Sequence, residues 1–152
     1  MHGHDTEALN QLELILRRLE LEPFILQNTA GGGLTIIEAL EKEIGPRPGA
    51  ARFGIVLLTP DDVGYASSDG ATHAKPRARQ NVVLEMGMLI SAIGRQNVLI
   101  LKKGDIEIPS DAHGIIYAQF TAHVKEIIPK LVLRLHTARF ELSADAIGKA
   151  SA

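Results

Sequence analysis

The sequence contains no cysteine, no large charge imbalance and no long hydrophobic run, and each absence narrows the possible functions. Without cysteine, neither a disulfide framework nor a thiolate zinc site can form. The 16 Lys and Arg against 18 Asp and Glu leave a net charge of −2, so no basic excess favours nucleic-acid binding. No apolar stretch is long enough to cross a bilayer and no signal-peptide pattern is present. These absences predict a cytoplasmic protein that binds neither nucleic acid nor membrane.

Predicted helices and strands alternate along the 152 residues, whose 45% hydrophobic content suffices for one domain with a core. Apolar residues at helical spacing predict helices at about 6–21, 34–44, 82–93 and 121–140, with Asn81 as the cap and Gly94 as the end of the third, and Pro129 interrupting the fourth. Apolar runs predict strands at 24–26, 53–59, 97–101 and 115–120. This order predicts a doubly wound α/β fold with a parallel sheet of the flavodoxin-like type.

The first strand of such a fold is nearly absent, because only Met1 and His2 precede the first helix. In a flavodoxin-like order that strand would lie at the sheet's centre, where ligands bind at the switch point. Either the numbered chain is a fragment or the sheet lacks a central member. We expect one domain over residues 1–140, a functional or mobile loop at 60–75, and a frayed, flexible tail at 141–152.

One charge, Glu85, lies between Gln80 and Gly94, at the edge of an otherwise apolar helix. A solvated surface helix tolerates such a residue, and a cleft can use it. The helix N-terminus is expected at the ligand-binding edge of the sheet, where Arg77 and Arg79 and free backbone amides favour an anion. A cleft that binds a phosphate at one end and carries a carboxylate at the other suits a nucleotide whose sugar meets the carboxylate.

Four segments are expected at the carboxyl ends of the strands, namely 2–5, 28–33, 60–79 and 102–114. Asp61 and Asp62 are either turn residues or pocket residues, and we favour the pocket because they follow a central strand. His2 and His4 have metal-ligand spacing but lack a third ligand, so no metal site is expected. The glycines at 31–33 are not a phosphate loop, since no Gly-Lys-Ser/Thr follows them.

The chain contains several ordered motifs, namely His2-Gly-His-Asp5, Leu57-Leu-Thr-Pro-Asp-Asp-Val-Gly64, Lys75-Pro-Arg-Ala-Arg-Gln-Asn-Val-Val-Leu-Glu-Met-Gly87 and Ile108-Pro-Ser-Asp111. Together they resemble the TIR-like domain of predicted bacterial nucleotide-binding proteins. The resemblance runs from about His2 to Tyr117. Domains of this kind are relatives of the Toll/interleukin-receptor fold and occur in bacterial anti-phage effectors, fused to STING-like or other cyclic-nucleotide sensors.

The resemblance implies a flavodoxin-like fold and cleavage of NAD+ at the nicotinamide–ribose bond, with NAD+ as substrate and no cofactor. The family's Asn-x-x-x-Glu-x-Gly motif maps onto Asn81, Glu85 and Gly87, which makes Glu85 the implied catalytic residue. Breaking this bond builds oxocarbenium-like charge on the ribose, and a fixed carboxylate stabilises such charge. Nicotinamide leaves as a neutral molecule, so one glutamate can suffice.

The resemblance also implies a nucleotide pocket lined by the loop after the first strand, and a flexible loop at 28–33. Activity in the family usually requires assembly, because a neighbouring subunit completes the pocket. We expect no sensor domain within these residues, so whatever triggers assembly lies elsewhere or is not needed. The predicted site thus has Glu85 as catalytic residue, no metal, and as substrate-binding residues Gly3, His4, Asp5, Gly33, Asp61, Asp62, Arg77, Arg79 and Asn81.

The helix that carries Glu85 is apolar nearly all round, which predicts a second covered face. Leu84 and Met88 lie opposite the core stripe, so we expect a homo-oligomer that forms through them. Two other functions remain open at this point. One is a non-catalytic TIR-type interaction module in which Glu85 is structural, and the other is an enzyme resembling nucleoside deoxyribosyltransferases, which also use a glutamate.

Overall fold

The fold alternates helices and strands, as the apolar pattern predicts. The computed structural model describes residues 1–26, 36–45, 52–110 and 117–152. Its elements in chain order are α1 (Thr6–Arg18), α2 (Ile36–Ile44), β1 (Gly54–Leu58), β2 (Asp62–Gly64), β3 (Lys75–Arg77), α3 (Gln80–Ile93), β4 (Val98–Lys103), β5 (Tyr117–Phe120), α4 (Ile128–Thr137) and α5 (Ala144–Ser151). The predicted loop at 28–33, with Gly33, lies outside the described residues.

Three parallel strands form the main sheet in the order β1-β4-β5, with Gly54 opposite Val98 and Ile100 opposite Tyr117. Side chains alternate between the two faces, and each face is covered. On one face α1, α4 and α5 pack against a cluster that includes Leu57, Leu99, Leu101 and Phe120. On the other, α3 packs against a cluster that includes Val56, Leu58, Val98 and Ile100. This arrangement confirms the predicted α/β class and explains why β1 and β4 are continuously apolar.

The ends of two helices differ in part from those that the apolar pattern predicts, because local backbone conformation sets them. Helix α1 ends at Arg18 rather than near Leu21, because Glu20 adopts a left-handed φ of 61°. Helix α3 begins after Arg79 without a side-chain cap, so the prediction of Asn81 as its cap was wrong. The predicted end at Gly94 is confirmed, since its φ of 80° is readily adopted only by glycine.

No strand forms at residues 24–26, which corrects the prediction there. A strand forms only where a neighbouring strand pairs with it, and the segment before α1 that would pair with residues 24–26 is short. Within the described residues it consists of a single parallel bridge between His2 and Leu57 beside β1. Two backbone hydrogen bonds hold that bridge, from Leu57 N to Met1 O (2.9 Å) and from Met1 N to Ile55 O (3.0 Å). Phe24 is consequently 64% exposed.

The region predicted as a long loop at 60–75 contains a small hairpin. Strands β2 and β3 pair antiparallel, with Val63 opposite Pro76, and residues 71–73 form a 3-10 turn between them. The amide of Glu107 donates to the carbonyl of Pro76 at 2.8 Å and extends the hairpin. Strands of three residues are too short to show a periodicity, which is why the pattern missed them.

The carboxyl-terminal residues expected to fray form α5 instead. The Ser143 side chain caps this helix by accepting from Ala146 N at 3.0 Å, and Ala146 and Ala150 are buried. Their small side chains let α5 lie close to α1, so the composition that suggested a tail serves packing. A 3-10 turn at Val124–Ile127 precedes α4, and Pro129 lies in the first turn of α4, where its missing N–H is harmless, so the predicted restart of the helix at Pro129 is confirmed. In the described ranges, no helix combines the length and apolarity needed to cross a bilayer.

Candidate active site

Glu85 lies on α3, half-buried, beside the ammonium group of Met1 and near His2 and Arg79. Burial desolvates the carboxylate and raises the pKa of Glu85 above its ordinary value, although these three groups favour its charged form. The acid is therefore held by a rigid helix in a partly dry, cationic setting. A carboxyl group with a pKa raised by burial and with cationic neighbours is typical of functional sites.

The loop after His2, the end of β1 and the start of α3 meet in one polar network. The backbone N–H of His4 donates to Asp61 Oδ2 at 3.2 Å, and the Thr59 hydroxyl donates to the same oxygen at 2.9 Å. The guanidinium of Arg79 contacts the His4 ring nitrogen Nε2. Three predicted site residues, His4, Asp61 and Arg79, thus lie together at the carboxyl end of β1. Thr59 was not predicted, although it follows directly on the apolar run of β1.

Gly3 permits this network by leaving room for it. A Cβ atom at Gly3 would overlap the Asp61 carboxylate and would lie 2.8 Å from Thr59 Oγ1. The requirement is steric, because an ordinary side chain does not fit between the loop and β1. Gly3 therefore shapes the site without offering a side chain to a ligand.

The two carboxylate oxygens of Asp5 bind different partners. Oδ1 accepts from Ala8 N at 2.9 Å and so caps α1, and Oδ2 pairs with Lys103 Nζ at 2.5 Å. Burial acts to raise the pKa of Asp5, but the hydrogen bonds from Ala8 and Lys103 outweigh it, and the pKa lies below its usual value. Asp5 thereby ties α1 to the end of β4. Lys103 had been assigned to a loop, so this partner was missed.

We expect Asp5→Ala to lower the free energy of unfolding by about 1–2 kcal/mol at pH 7, since it removes both the cap and the ion pair. Asp5→Asn, whose amide oxygen can still accept from Ala8, should lose less. The folded-state pKa is depressed, so the stabilisation is present above the unfolded pKa and is lost as pH falls through the folded one. Urea denaturation from pH 7 to pH 2 should show wild type and Asp5→Ala converging. A difference that stays constant with pH would contradict this assignment.

Arg77, Asp62 and Asn81 lie on the hairpin and the helix start, away from this network. Asp62 and Arg77 are opposite each other in the β2–β3 ladder, and the Arg77 guanidinium packs over Gly64, where a Cβ would overlap it. Arg77 Nε is buried and has no hydrogen-bond partner among the described residues. Asn81 is exposed in the first turn of α3. In the described part of the chain none of the three hydrogen-bonds to Glu85, and their role in binding stays a prediction.

A cavity of about 400 Å³ opens beside β1, but it is not the space in front of Glu85. Met1 and His2 line it, whereas most of its remaining wall is apolar and Glu85 does not contribute. The chemistry-bearing residues and this cavity are therefore adjacent but distinct. Among the described residues, no three His, Asp or Glu side chains are grouped closely enough to hold a metal ion.

The amino-acid sequence also matches a known family, in agreement with the parallel sheet, the polar network and the raised pKa of Glu85. A sequence model of the CAP12/Pycsar effector protein TIR domain matches residues 1–122. The chain belongs to this TIR-domain family. The match covers the sheet, the hairpin, α3 and the Met1–Asp5 segment, and it confirms the resemblance found in the motifs.

Three relatives illustrate the range in which this TIR domain occurs. The Escherichia coli (strain K12) protein YuaY is 45% identical over 123 residues, which are 81% of this chain and 39% of YuaY. Protein tirC of Dictyostelium discoideum is 35% identical over 137 residues, or 84% of this chain and 65% of tirC. CD-NTase-associated protein 12 of Sphingobacterium faecium is 34% identical over 71 residues, covering 47% and 21% of the two chains. The chain thus spans less than two thirds of the length of each of these relatives.

Proposed function

We propose that this TIR domain cleaves NAD+ at the nicotinamide–ribose bond, as part of anti-phage defence. The observation that carries the proposal is the Glu85 carboxylate, half-buried on α3, with a pKa raised by burial and with the Met1 ammonium and Arg79 nearby. Such a group is both fixed and incompletely solvated, which is what stabilisation of a developing positive charge requires. The names of two relatives, CD-NTase-associated protein 12 and Pycsar effector protein XpPycTIR of Xanthomonas perforans, support the defence context.

The proposed reaction needs little from the protein besides this carboxylate. The bond between the ribose C1′ and the pyridinium nitrogen breaks, and its electron pair leaves with nicotinamide, which becomes neutral. Positive charge develops on C1′ and the ring oxygen, and Glu85 stabilises it. Water then adds to C1′ and releases one proton, which the carboxylate of Glu85 can accept because its pKa is raised. The products are nicotinamide and ADP-ribose.

The diphosphate of NAD+ would lie at the start of α3. Arg79 is directly before this helix, and the first amides of an α-helix have no partners within the helix and favour an anion. Arg77, two residues earlier, carries a second positive charge near this helix start, although its guanidinium packs over Gly64 of the hairpin. The ribose would then meet Glu85 one turn further along α3. This placement makes Arg77 and Arg79 binding residues and Glu85 the catalytic residue.

A non-catalytic interaction module is the second candidate, because α3 carries an exposed apolar face. Leu84, Gly87, Met88 and Ser91 follow the i, i+3, i+4, i+7 spacing and form what we call the α3 outer face. Leu84 is 57% exposed, Met88 is half-buried, and a Cβ on Gly87 would meet nothing within 4 Å.

We propose that copies of this TIR domain assemble through this face, under the control of a cyclic-nucleotide sensor, fused or separate.

Chromatography of reaction products separates the candidate functions. NAD+ alone should yield nicotinamide and ADP-ribose, and a mixture of nucleosides with free bases should remain unchanged. Base exchange in the nucleoside mixture, without NAD+ cleavage, would instead indicate a deoxyribosyltransferase. No reaction of either kind, at protein concentrations where the domain is assembled, would leave the interaction module as the function.

Leu84→Asp tests the role of the α3 outer face. We expect it to shift the domain to monomers in analytical ultracentrifugation and to lower NAD+ cleavage by about tenfold or more, because a buried charge at the centre of an interface is strongly unfavourable. Leu133→Asp is the matched control, since Leu133 is 65% exposed on α4. It should leave both assembly and cleavage unchanged. Equal losses in the two variants would count against a specific contact through α3.

A further inference from the structure

Three polar residues connect the carboxyl end of β1 to the arginine that precedes α3. Thr59, which is 1% exposed, donates its hydroxyl to Asp61 Oδ2 at 2.9 Å. The same oxygen accepts the backbone N–H of His4 at 3.2 Å. The ring of His4 then meets the guanidinium of Arg79, the residue directly before α3. Thr59, Asp61 and His4 thus form a continuous support for one cation, which we call the Arg79 support.

The contact between His4 and Arg79 has only one possible direction. A guanidinium carries donors and no acceptor, so His4 Nε2 accepts the hydrogen bond. That nitrogen therefore has no proton, and the imidazole ring is neutral with its hydrogen on Nδ1. A carboxylate partner would offset most of the positive charge of Arg79, whereas a neutral acceptor holds the side chain and leaves the charge available to an anion.

The charge of Asp61 is used on donors within the protein. Its Oδ2 accepts from both Thr59 and His4, and the lack of a side chain at Gly3 gives the carboxylate its room. A carboxylate turned towards a diphosphate would repel it, because like charges at short range are unfavourable. The geometry therefore suits a residue that fixes the backbone of His4 better than it suits one that contacts a bound anion.

Arg77, the other arginine before α3, is fixed in a different place. Its guanidinium packs over Gly64 of the hairpin, and it lies opposite Asp62 in the β2–β3 ladder. Its Nε is buried and has no hydrogen-bond partner among the described residues. Arg79, in contrast, lies near enough to Glu85 to favour the charged form of that carboxylate. Arg79 is thus the arginine whose position matters for a substrate that also reaches Glu85.

We propose that His4 and Asp61 are positioning residues, which hold the Arg79 guanidinium where the diphosphate of the substrate binds. This inference rests on the proposed cleavage of NAD+, because it assigns how the substrate of that reaction is held. His4 orients Arg79 directly, and Asp61 acts one step further away through the backbone of His4. Without the support, the long side chain of Arg79 would occupy several rotamers, and ligand binding would have to order it at an entropic cost.

The test measures KM and kcat for NAD+ and, by calorimetry, the dissociation constant of ADP-ribose. His4→Ala should raise KM and this dissociation constant by about tenfold and lower kcat by less than about twofold, because the diphosphate is remote from the bond that breaks. His4→Gln should keep most of the affinity, since its amide oxygen can accept from Arg79 close to the position of Nε2. His136→Ala removes an exposed histidine on α4 and, as the matched control, should change none of these constants.

Double variants separate positioning from direct contact with the ligand. Asp61→Ala should weaken ADP-ribose binding, and Asp61→Asn should weaken it less, because its amide oxygen can still accept from Thr59 and His4. In an Arg79→Ala background, neither His4→Ala nor Asp61→Ala should weaken binding further, since the guanidinium that they hold is gone. Effects that add fully in this background would show that the two residues contact the ligand themselves, and would overturn the proposal.

The same measurements distinguish failure of the positioning role from failure of the proposed reaction. A wild type that cleaves NAD+, with unchanged KM and unchanged ADP-ribose affinity in His4→Ala, would refute positioning and leave the reaction in place. Equal losses in His4→Ala and His4→Gln would also refute it, because the acceptor would then not matter. A wild type that binds ADP-ribose through His4 and Arg79 but releases no nicotinamide would support positioning and refute cleavage. A wild type that neither binds nor cleaves would overturn both.

Discussion

Glu85→Gln should lower the rate of nicotinamide release from NAD+ by about a hundredfold or more and leave the fold intact. Gln has nearly the same shape as Glu but no charge, so it removes the stabilisation of the oxocarbenium-like transition state and little else. Glu85 is the side chain on α3 whose pKa burial raises, while the nearby Met1 ammonium, His2 and Arg79 act in the opposite direction. Nicotinamide released at saturating NAD+ is the quantity to measure.

The same variant should be at least as stable as the wild type at pH 7. The folded-state pKa of Glu85 is raised, so its protonated form is favoured by folding, and the wild type gains stability as pH falls through that pKa. Gln lacks this titration, and the two proteins should converge in Tm on acidification. Glu141→Gln, an exposed acid distant in sequence, is the control and should retain full activity. Turnover by Glu85→Gln equal to that of the wild type would refute the catalytic role.

Gly3→Ala is the second substitution with a large expected effect. The new methyl group would overlap the Asp61 carboxylate and crowd Thr59, so it should expel Asp61 from its bonds to Thr59 and His4. We expect a loss of about 1–3 kcal/mol in the free energy of unfolding, measured by urea denaturation. NAD+ cleavage should fall as well, because His4 also contacts Arg79 near Glu85.

Gly148→Ala supplies the control for the effect of a methyl group as such. A Cβ at Gly148 meets nothing within 4 Å, and the residue lies in α5, so Ala should stabilise the chain by up to about 1 kcal/mol. Opposite signs for the two glycine variants are the expected result. A Gly3→Ala variant as stable as the wild type would show that the Asp61 network does not require glycine at position 3.

The parts of the fold that could be predicted from sequence are those with long, strong periodicity. Helices α1 and α3 and strands β1 and β4 each place apolar residues on faces that the structure buries. The β2–β3 hairpin is too short for a pattern. The segment 24–26 has a strand-like composition, but no neighbouring strand pairs with it among the described residues. Helix α5 buries only small side chains, which carry little apolar signal.

For the site, Glu85 could be singled out because one charge in an apolar helix is conspicuous. The cap that Asp5 provides for α1 could be predicted, but its ion pair with Lys103 could not, since it joins residues 98 positions apart in the chain. The network of Thr59, Asp61 and His4 likewise depends on how the end of β1 meets the Met1–Asp5 segment. Such contacts follow from the parallel sheet, which brings distant strand ends together, and not from spacing along the sequence.

A crystal structure of Glu85→Gln soaked with NAD+ tests the central claim most directly, because the variant should bind the intact dinucleotide without cleaving it. The account predicts that the nicotinamide ribose lies within hydrogen-bond distance of residue 85 and that the diphosphate lies at Arg79 and the first turn of α3. Density for NAD+ elsewhere, for example in the apolar cavity beside β1 with residue 85 untouched, would contradict it.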